Sequence, residues 1–423
     1  MLASSFRLLL FWSLLTAVSF AAGFEREIIL APQAGAERED VEIRRCQERV
    51  GAAGAKPEAF ERLGWAFVAK ARRTLDAGYY KLAEKTADAM DAQFGASAES
   101  RALRGGVLHN LHRFRETEAL ARQLVAERGA PEDFGLLSDA LMEQGQLGEA
   151  VEVLQRMVNL KPGAAAYSRI AHVRWLKGDL HGAIAAMEMA ARASRPEDGE
   201  PYAWMLARLS GFYLQAGEAM RALQLAEAAA RRVAAFPPAL LARGRALLAL
   251  NETAAAIGAL QRAAELNPLP EYQWWLADAL RAAHRSDEAA TVEAGLVARG
   301  EVSDPRTFAL FLATRGRDSA TAVRLAREEL ANRADVFTHD ALAWALAANG
   351  ELAAADGQMR AALAERTQDA RLFFHAGVIA RMRGARPEAE HFFAEATALA
   401  ATLTPSERAR LAAQAGAALA RVN

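Results

Sequence analysis

The sequence predicts an all-α protein built as a solenoid of about ten stacked helix pairs. Three observations carry that expectation. First, 102 of the 423 residues are alanine, the best helix former and a poor filler of sheet faces. Second, an anchor residue recurs: Ala83, Thr117, Ala150, Ala183, Ala222, Ala256, Ala289, Ala322, Ala355 and Ala389, with successive gaps of 34, 33, 33, 39, 34, 33, 33, 33 and 34. Third, two further positions keep the same register, and each has a physical reason to do so.

Twelve residues before the anchors lie Ala71, Gly105, Ser138, Ala171, Ser210, Gly244, Ala277, Leu310, Ala343 and Gly377. Nine of the ten are small, as two closely crossing helices require. Five residues before the anchors lie Gly78, His112, Gly145, Gly178, Gly217, Asn251, His284, Arg317, Gly350 and Gly384. Gly, Asn and His tolerate positive φ, which suits a helix end followed by a tight turn. Gly316 sits one residue early, so the eighth turn is expected to hold an extra residue. The 39-residue gap holds Arg195-Pro196-Glu197-Asp198-Gly199-Glu200-Pro201, expected as a longer loop or bend. Pro162 and Pro268 close two second helices.

This pattern resembles the tetratricopeptide repeat (TPR) solenoids, with Ala239 to Pro268 as the best single match. The resemblance implies an all-α, right-handed superhelical α-solenoid of about ten TPR-like helix pairs with a C-terminal capping helix. The expected organisation is a signal peptide over 1–21, an N-terminal arm and short helix over 22–56, the solenoid over 57–403 and the cap over 404–423. In the arm, Ile28-Ile29-Leu30 suggests an extended strap, 36–50 a short helix, and Pro57 the start of a long one. The cap is expected beyond the tenth pair, over its last apolar face.

Residues 1–23 read as an export signal. Arg7 gives the positive start, Leu8 to about Phe20 the apolar run, and Ser19-Phe20-Ala21 the small residues that place cleavage after Ala21. The run is short for a bilayer core, which needs about 20 apolar residues. The expected location is therefore periplasmic or extracellular, in a bacterial host, with no integral membrane segment in the mature chain. Cys46 is the single cysteine, so no intrachain disulfide forms.

Composition excludes several function classes. Lys plus Arg is 51 against 52 for Asp plus Glu, a net charge of −1, so there is no basic footprint and no nucleic-acid partner is expected. No P-loop, Gly-x-Ser-x-Gly, His-Glu-x-x-His or paired-cysteine motif occurs. The histidines supply no three-ligand spacing, so neither a metal nor another cofactor is expected, and the reading is of a protein that is not an enzyme.

The TPR resemblance implies a concave surface, lined by the first helices, where extended peptides bind. Residues eight, eleven and about fifteen before each anchor share one face of the first helix. They nominate Arg169, His172 and Trp175 in the fourth pair; Trp274, Asp278 and Arg281 in the seventh; Phe308 and Phe311 in the eighth; Asp340 and Trp344 in the ninth; and Phe374 and Arg381 in the tenth. Aromatic and Arg side chains are common anchors of binding surfaces. The leading expectation is an exported scaffold or adaptor that binds a protein or peptide in this groove. A second is a small-ligand binder or enzyme using Arg169, His172, Asp278 and Asp340. A compact pocket with a strongly shifted carboxylate favours that second reading, and a long open groove the first. A third is an assembly role with residues 24–54 as the contacting arm.

Overall fold

The structure, a computed structural model, describes residues 25–74, 76–195 and 199–419. The predicted signal peptide therefore lies outside the described residues, as do Pro196, Glu197 and Asp198 of the insertion. Among the described residues there is no strand, and no helix is long and apolar enough to cross a membrane.

The helix pairs follow the predicted register. Repeat one pairs Pro57–Thr74 with Gly78–Phe94, and repeat two Ala98–Asn110 with Phe114–Glu127. Repeat three pairs Pro131–Glu143 with Leu147–Leu160, repeat four Ala164–Leu176 with Leu180–Ala193, and repeat five Gly199–Gln215 with Ala219–Arg232. Repeat six pairs Pro237–Ala249 with Thr253–Leu266, and repeat seven Pro270–Ala282 with Ser286–Ser303. Repeat eight pairs Pro305–Arg315 with Ser319–Leu330, repeat nine Val336–Ala348 with Leu352–Leu363, and repeat ten Ala370–Met382 with Arg386–Ala398. A 3-10 turn, Ala400–Thr402, leads into a last helix, Pro405–Leu419. Gly199, Glu200 and Pro201 of the insertion belong to the first helix of repeat five, which they lengthen.

Packing explains the register. All nine anchor alanines are fully buried, as is Thr117, whose hydroxyl is satisfied by the Arg113 carbonyl at 3.0 Å. A Cβ added at Gly105, Gly244 or Gly377 would lie 2.6 Å from Leu136, Leu260 or Phe393, so these crossings have no room for a larger residue. Eight turns show the expected left-handed residue: His112, Gly145, Gly178, Gly217, Asn251, His284, Gly350 and Gly384 all have φ between 58° and 84°. The turn of repeat eight uses Gly316 (φ 62°) and then Asp318 (φ 39°), which matches the extra residue anticipated there. Gly78 departs from the pattern: it opens the second helix of repeat one and lacks positive φ.

The chain divides into two compact bodies, residues 1–140 and 141–423. The division falls inside the helix Pro131–Glu143, so no linker in the sequence marks it.

In the first body the N-terminal arm is part of the core. Residues 25–29 are helical rather than an extended strap, and Arg38–Gly51 follows as the helix expected over 36–50. Ile29, Ile43, Cys46 and Val50 are buried with Phe60, Leu63 and Phe67. Gln47 donates to the Ile29 and Ala31 carbonyls at 2.8 and 2.9 Å. Asp40 and Lys70 form a buried ion pair at 3.0 Å, and the Lys70 hydrogen bond holds the Asp40 carboxyl below its ordinary pKa. An arm tied down this way is not a free contacting segment.

The second body curls until its two ends meet. The turn of repeat three reaches the loop after repeat eight, where Arg333 pairs with Glu143 at 2.5 Å. The turn of repeat four reaches the loop after repeat nine. There Lys177 pairs with Glu365 at 2.8 Å, and the Thr367 hydroxyl donates to the Leu176 carbonyl. Gly178 lies against the Arg366 carbonyl so closely that a Cβ has no space.

Candidate functional site

Closing the second body turns the inner faces of its first helices toward one interior. The C-terminal helix enters that interior. Its Leu411 joins Phe373, Phe374, Phe393 and Leu403, so it does cover the last repeat as expected. It also reaches much further. Ser406 donates to Asp278 of repeat seven, and Arg315 of repeat eight donates to the same carboxylate. Arg371 of repeat ten pairs with the fully buried Glu407 at 2.7 Å. Arg410 donates to the Thr314 carbonyl at 3.0 Å, and Arg381 donates to Gln414. The C-terminal halves of the inner faces in repeats seven to ten are thus covered by the chain itself.

The N-terminal halves of those helices, with the C-terminal ends of the first helices of repeats four to six, leave a cavity of about 320 Å³. Its aromatic wall includes Trp175, Phe212, Trp274, Trp275 and Phe337. Trp175 stacks on Phe337 at 5.4 Å and donates its indole N–H to Gln215 at 2.8 Å. The Gln215 amide in turn donates to the Gln368 carbonyl, which fixes both side chains. Leu310, the one large residue among the small positions, borders this cavity.

The cavity also carries four cations and four carboxylates. Arg306 is answered by Asp335 at 2.9 Å and Arg371 by Glu407. Burial disfavours both guanidinium charges, yet the facing carboxylates more than offset it and raise both pKa values. Asp304 caps its helix by accepting from the Thr307 amide at 3.1 Å. Asp369 accepts from the Arg371 and Leu372 amides at 2.9 and 3.0 Å, and burial raises its pKa despite those bonds. Asp340 is bonded to His375 at 2.9 Å. Glu271 is exposed. Arg208 and Arg245 lie on the other side of the sequence arc, on the first helices of repeats five and six. Among the described residues, no group of three or more His, Cys, Asp or Glu side chains is placed to hold a metal ion.

Solved structures match this architecture. Human IFIT1, in a dimer with PPP-AAAA, is 12% identical with a TM-score of 0.50, covering 90% of this chain and 99% of its own. The fold is a TPR-like solenoid. TTC0263, a thermophilic TPR protein of Thermus thermophilus, is 21% identical with a TM-score of 0.38, covering 46% of this chain and 100% of its own. MamA is 20% identical with a TM-score of 0.32, covering 39% and 94%. No protein-family model and no curated protein matches the chain. At 12% identity the likeness to IFIT1 is one of fold.

Within the TPR-like fold the twelve nominated residues separate. Trp175, Trp274 and Asp340 border the cavity. Phe308, Phe311 and Phe374 are at most 5% exposed and pack in the core, so they are not groove residues. Trp344 is buried against His375 at 4.0 Å and donates to Thr314 at 3.0 Å. Asp278 is buried under Ser406 and Arg315, and Arg281 pairs with Glu293 at 2.5 Å, so the two do not form an open peptide-binding pair. Arg381 is held by Gln414. Arg169 donates to Ala165 of its own helix at 2.9 Å. His172 stacks on Trp175 at 5.7 Å and meets Arg208 behind the cavity wall.

The residues that sequence reasoning missed follow a simple rule. Eighteen residues before the anchors, one turn beyond the chosen stripe, lie Glu271, Asp304, Phe337 and Arg371. Eleven before Ala256 lies Arg245, and fourteen before Ala222 lies Arg208. Extending the stripe to the helix N-termini, and reading repeats five and six, finds these six, whereas Arg306 and Asp369 lie at other offsets.

Proposed function

We propose that the chain is an exported, partner-binding repeat scaffold, and that its second body takes a small ligand into the interior cavity. The observation that carries this is the position of the C-terminal helix. It lies on the inner faces of repeats seven to ten, where an extended peptide would lie, and leaves a compact space in place of a long groove. A volume of about 320 Å³ falls in the range of small-molecule pockets, about 300 to 1,000 Å³. The raised pKa of Asp369 points the same way. The role proposed is binding, with three of the four carboxylates each bonded to a helix amide or to His375.

A protein or peptide partner in the groove is the second reading. The same helix favours it in one respect: these inner faces hold a helical segment through Asp278, Arg315, Arg371 and Arg381. A partner would then have to displace the chain's own end.

Gly211 allows a test. It borders the cavity, and a Cβ there meets nothing within 4 Å. Gly211→Leu is therefore expected to extend its side chain into the space from a position where its Cβ meets no neighbour. Native mass spectrometry of the mature chain, purified gently from its own cells, is expected to show a low-mass adduct that Gly211→Leu lacks. A protein partner carried equally by both forms, with no adduct on either, would replace the cavity reading with the groove reading.

A further inference from the structure

The cavity has donors left over, and they define the charge of what fits it. Arg208 lies over the rings of Trp175 and Phe212, its guanidinium carbon 5.1 and 5.2 Å from their centroids. Arg245 lies over Trp275 at 5.0 Å. Stacking of this kind engages the face of a guanidinium and leaves its N–H edge free for acceptors. Among the described residues neither edge finds a carboxylate. Arg208 reaches the His172 ring nitrogen at 3.4 Å, and Arg245 reaches the Thr402 carbonyl at 3.5 Å. The Arg245 Nε and the Trp274 indole N–H are both buried without a hydrogen-bond partner. Buried donors of this kind are rare, because each forfeits its hydration.

The carboxylates of the cavity balance its cations in number, but none of them bonds to Arg208 or Arg245. Arg306 and Arg371 have their own carboxylates, and one oxygen each of Asp304, Asp340 and Asp369 is held by an amide or by His375. Glu271 acts on both Arg208 and Arg245 from beyond ion-pair distance. Burial pushes the Arg208 pKa down to about 10, and the charge of Arg245 pushes in the same direction. Burial lowers the Arg245 pKa too, and the charges of Glu271, Asp369 and Glu407 oppose that shift without an ion pair to it.

We infer that this cavity is an organic-anion site. Its ligand is a small molecule with a planar ring, whose carboxylate or phosphate accepts from Arg208, Arg245 and the Trp274 indole, and whose ring packs among the aromatic side chains. The inference rests on the cavity reading above and adds the chemical class of the ligand. Charge-assisted hydrogen bonds from two desolvated guanidiniums give a selectivity for anions that an apolar cavity lacks.

The test uses the full mature chain with three probes of one shape: 1-naphthoate, 1-naphthyl phosphate and the neutral 1-naphthamide. Binding is read by calorimetry and by the shift in Tm, for wild type, Arg208→Gln, Arg245→Gln and Gly211→Leu. Circular dichroism checks folding of each variant, and removing an uncompensated buried cation is not expected to unfold the chain. The expected result is that the anions bind at least about tenfold more tightly than the amide, a difference of about 1.4 kcal/mol. Each Arg→Gln change is expected to weaken anion binding by a similar factor, and Gly211→Leu to abolish it. The ratio of carboxylate to phosphate affinity then identifies the head group. Equal binding of all three probes, lost in Gly211→Leu, would overturn the anion site and leave the cavity reading standing. Anion binding unchanged in both Arg variants would also overturn it. Failure of every probe to bind wild type would overturn both.

Discussion

The Ser406 hydroxyl donates to the Asp278 carboxylate, a bond across 128 positions that ties the C-terminal helix to the first helix of repeat seven. The Arg315 guanidinium shares that carboxylate, and one helix turn later the Arg410 guanidinium bonds the Thr314 carbonyl. The end of the chain is therefore a structural part of the second body's interior. A scaffold built this way does not present a bare concave face.

Glu407 is the fully buried member of these ties. Burial alone would raise its pKa, but the charge and hydrogen bonds of Arg371, with the Thr404 amide, hold it below its ordinary 4.5. The folded chain thus keeps Glu407 ionised at pH values where the unfolded chain protonates it. The stabilisation is fully present above about pH 4.5 and is lost as pH falls through the folded value. Glu407→Gln leaves Arg371 buried without its partner and is expected to cost about 3 kcal/mol at pH 7. The difference in Tm from wild type is expected to shrink as pH is lowered toward 3. A difference independent of pH would show that the pair does not carry it.

Closure of the second body rests on Gly178. Its φ is 78°, and the Arg366 carbonyl occupies the space a Cβ needs. Gly350 has a similar φ of 84° with nothing within 4 Å. Gly178→Ala is expected to cost about 2 kcal/mol more than Gly350→Ala, since both carry the conformational penalty and one adds a backbone clash. It should also speed amide exchange at residues 365–368. Equal losses of stability would mean that the contact does not close the body.

Gly211 is helical, without positive φ, and its side faces open space. Gly211→Ala is expected to stabilise the chain by about 0.5–1 kcal/mol through the unfolded state. A lower melting temperature would show that the backbone here needs glycine, for instance to approach a ligand closely.

The repeat register has its own check. Ala256 is fully buried at the crossing within repeat six, where Gly244 leaves no room for more than hydrogen. Ala256→Leu is expected to cost about 1–3 kcal/mol by overpacking. An unchanged melting temperature would break the packing argument for every anchor.

What was legible in the sequence is what repeats locally. Small residues at Gly244 and Ala256 recur because two helices must cross in every pair, and His112, Asn251 and His284 recur with the glycines because every pair needs a left-handed turn. Even the irregular turn at Gly316 could be read, since it breaks a counted spacing. The cavity was half legible. Trp175, Trp274 and Asp340 lie on the stripe, whereas Arg208 and Arg371 lie a turn or a repeat away from where it was read. The placement of Phe308, Phe311 and Phe374 could not be judged from periodicity, because an inner-face aromatic and a core aromatic share the same spacing.

The sequence by itself determined the helix pairs, their register and their turns, because those depend on residues within one or two repeats of each other. Only the tertiary structure decided that Lys177 meets Glu365, that Thr367 meets Leu176 and that Ser406 meets Asp278, across 188, 191 and 128 positions. No period encodes such meetings. They follow from the accumulated curvature of several stacked repeats, in which small differences in crossing geometry add up. That curvature brings the ends of the second body together, seats the last helix inside it and leaves two guanidiniums without a carboxylate partner beside one cavity.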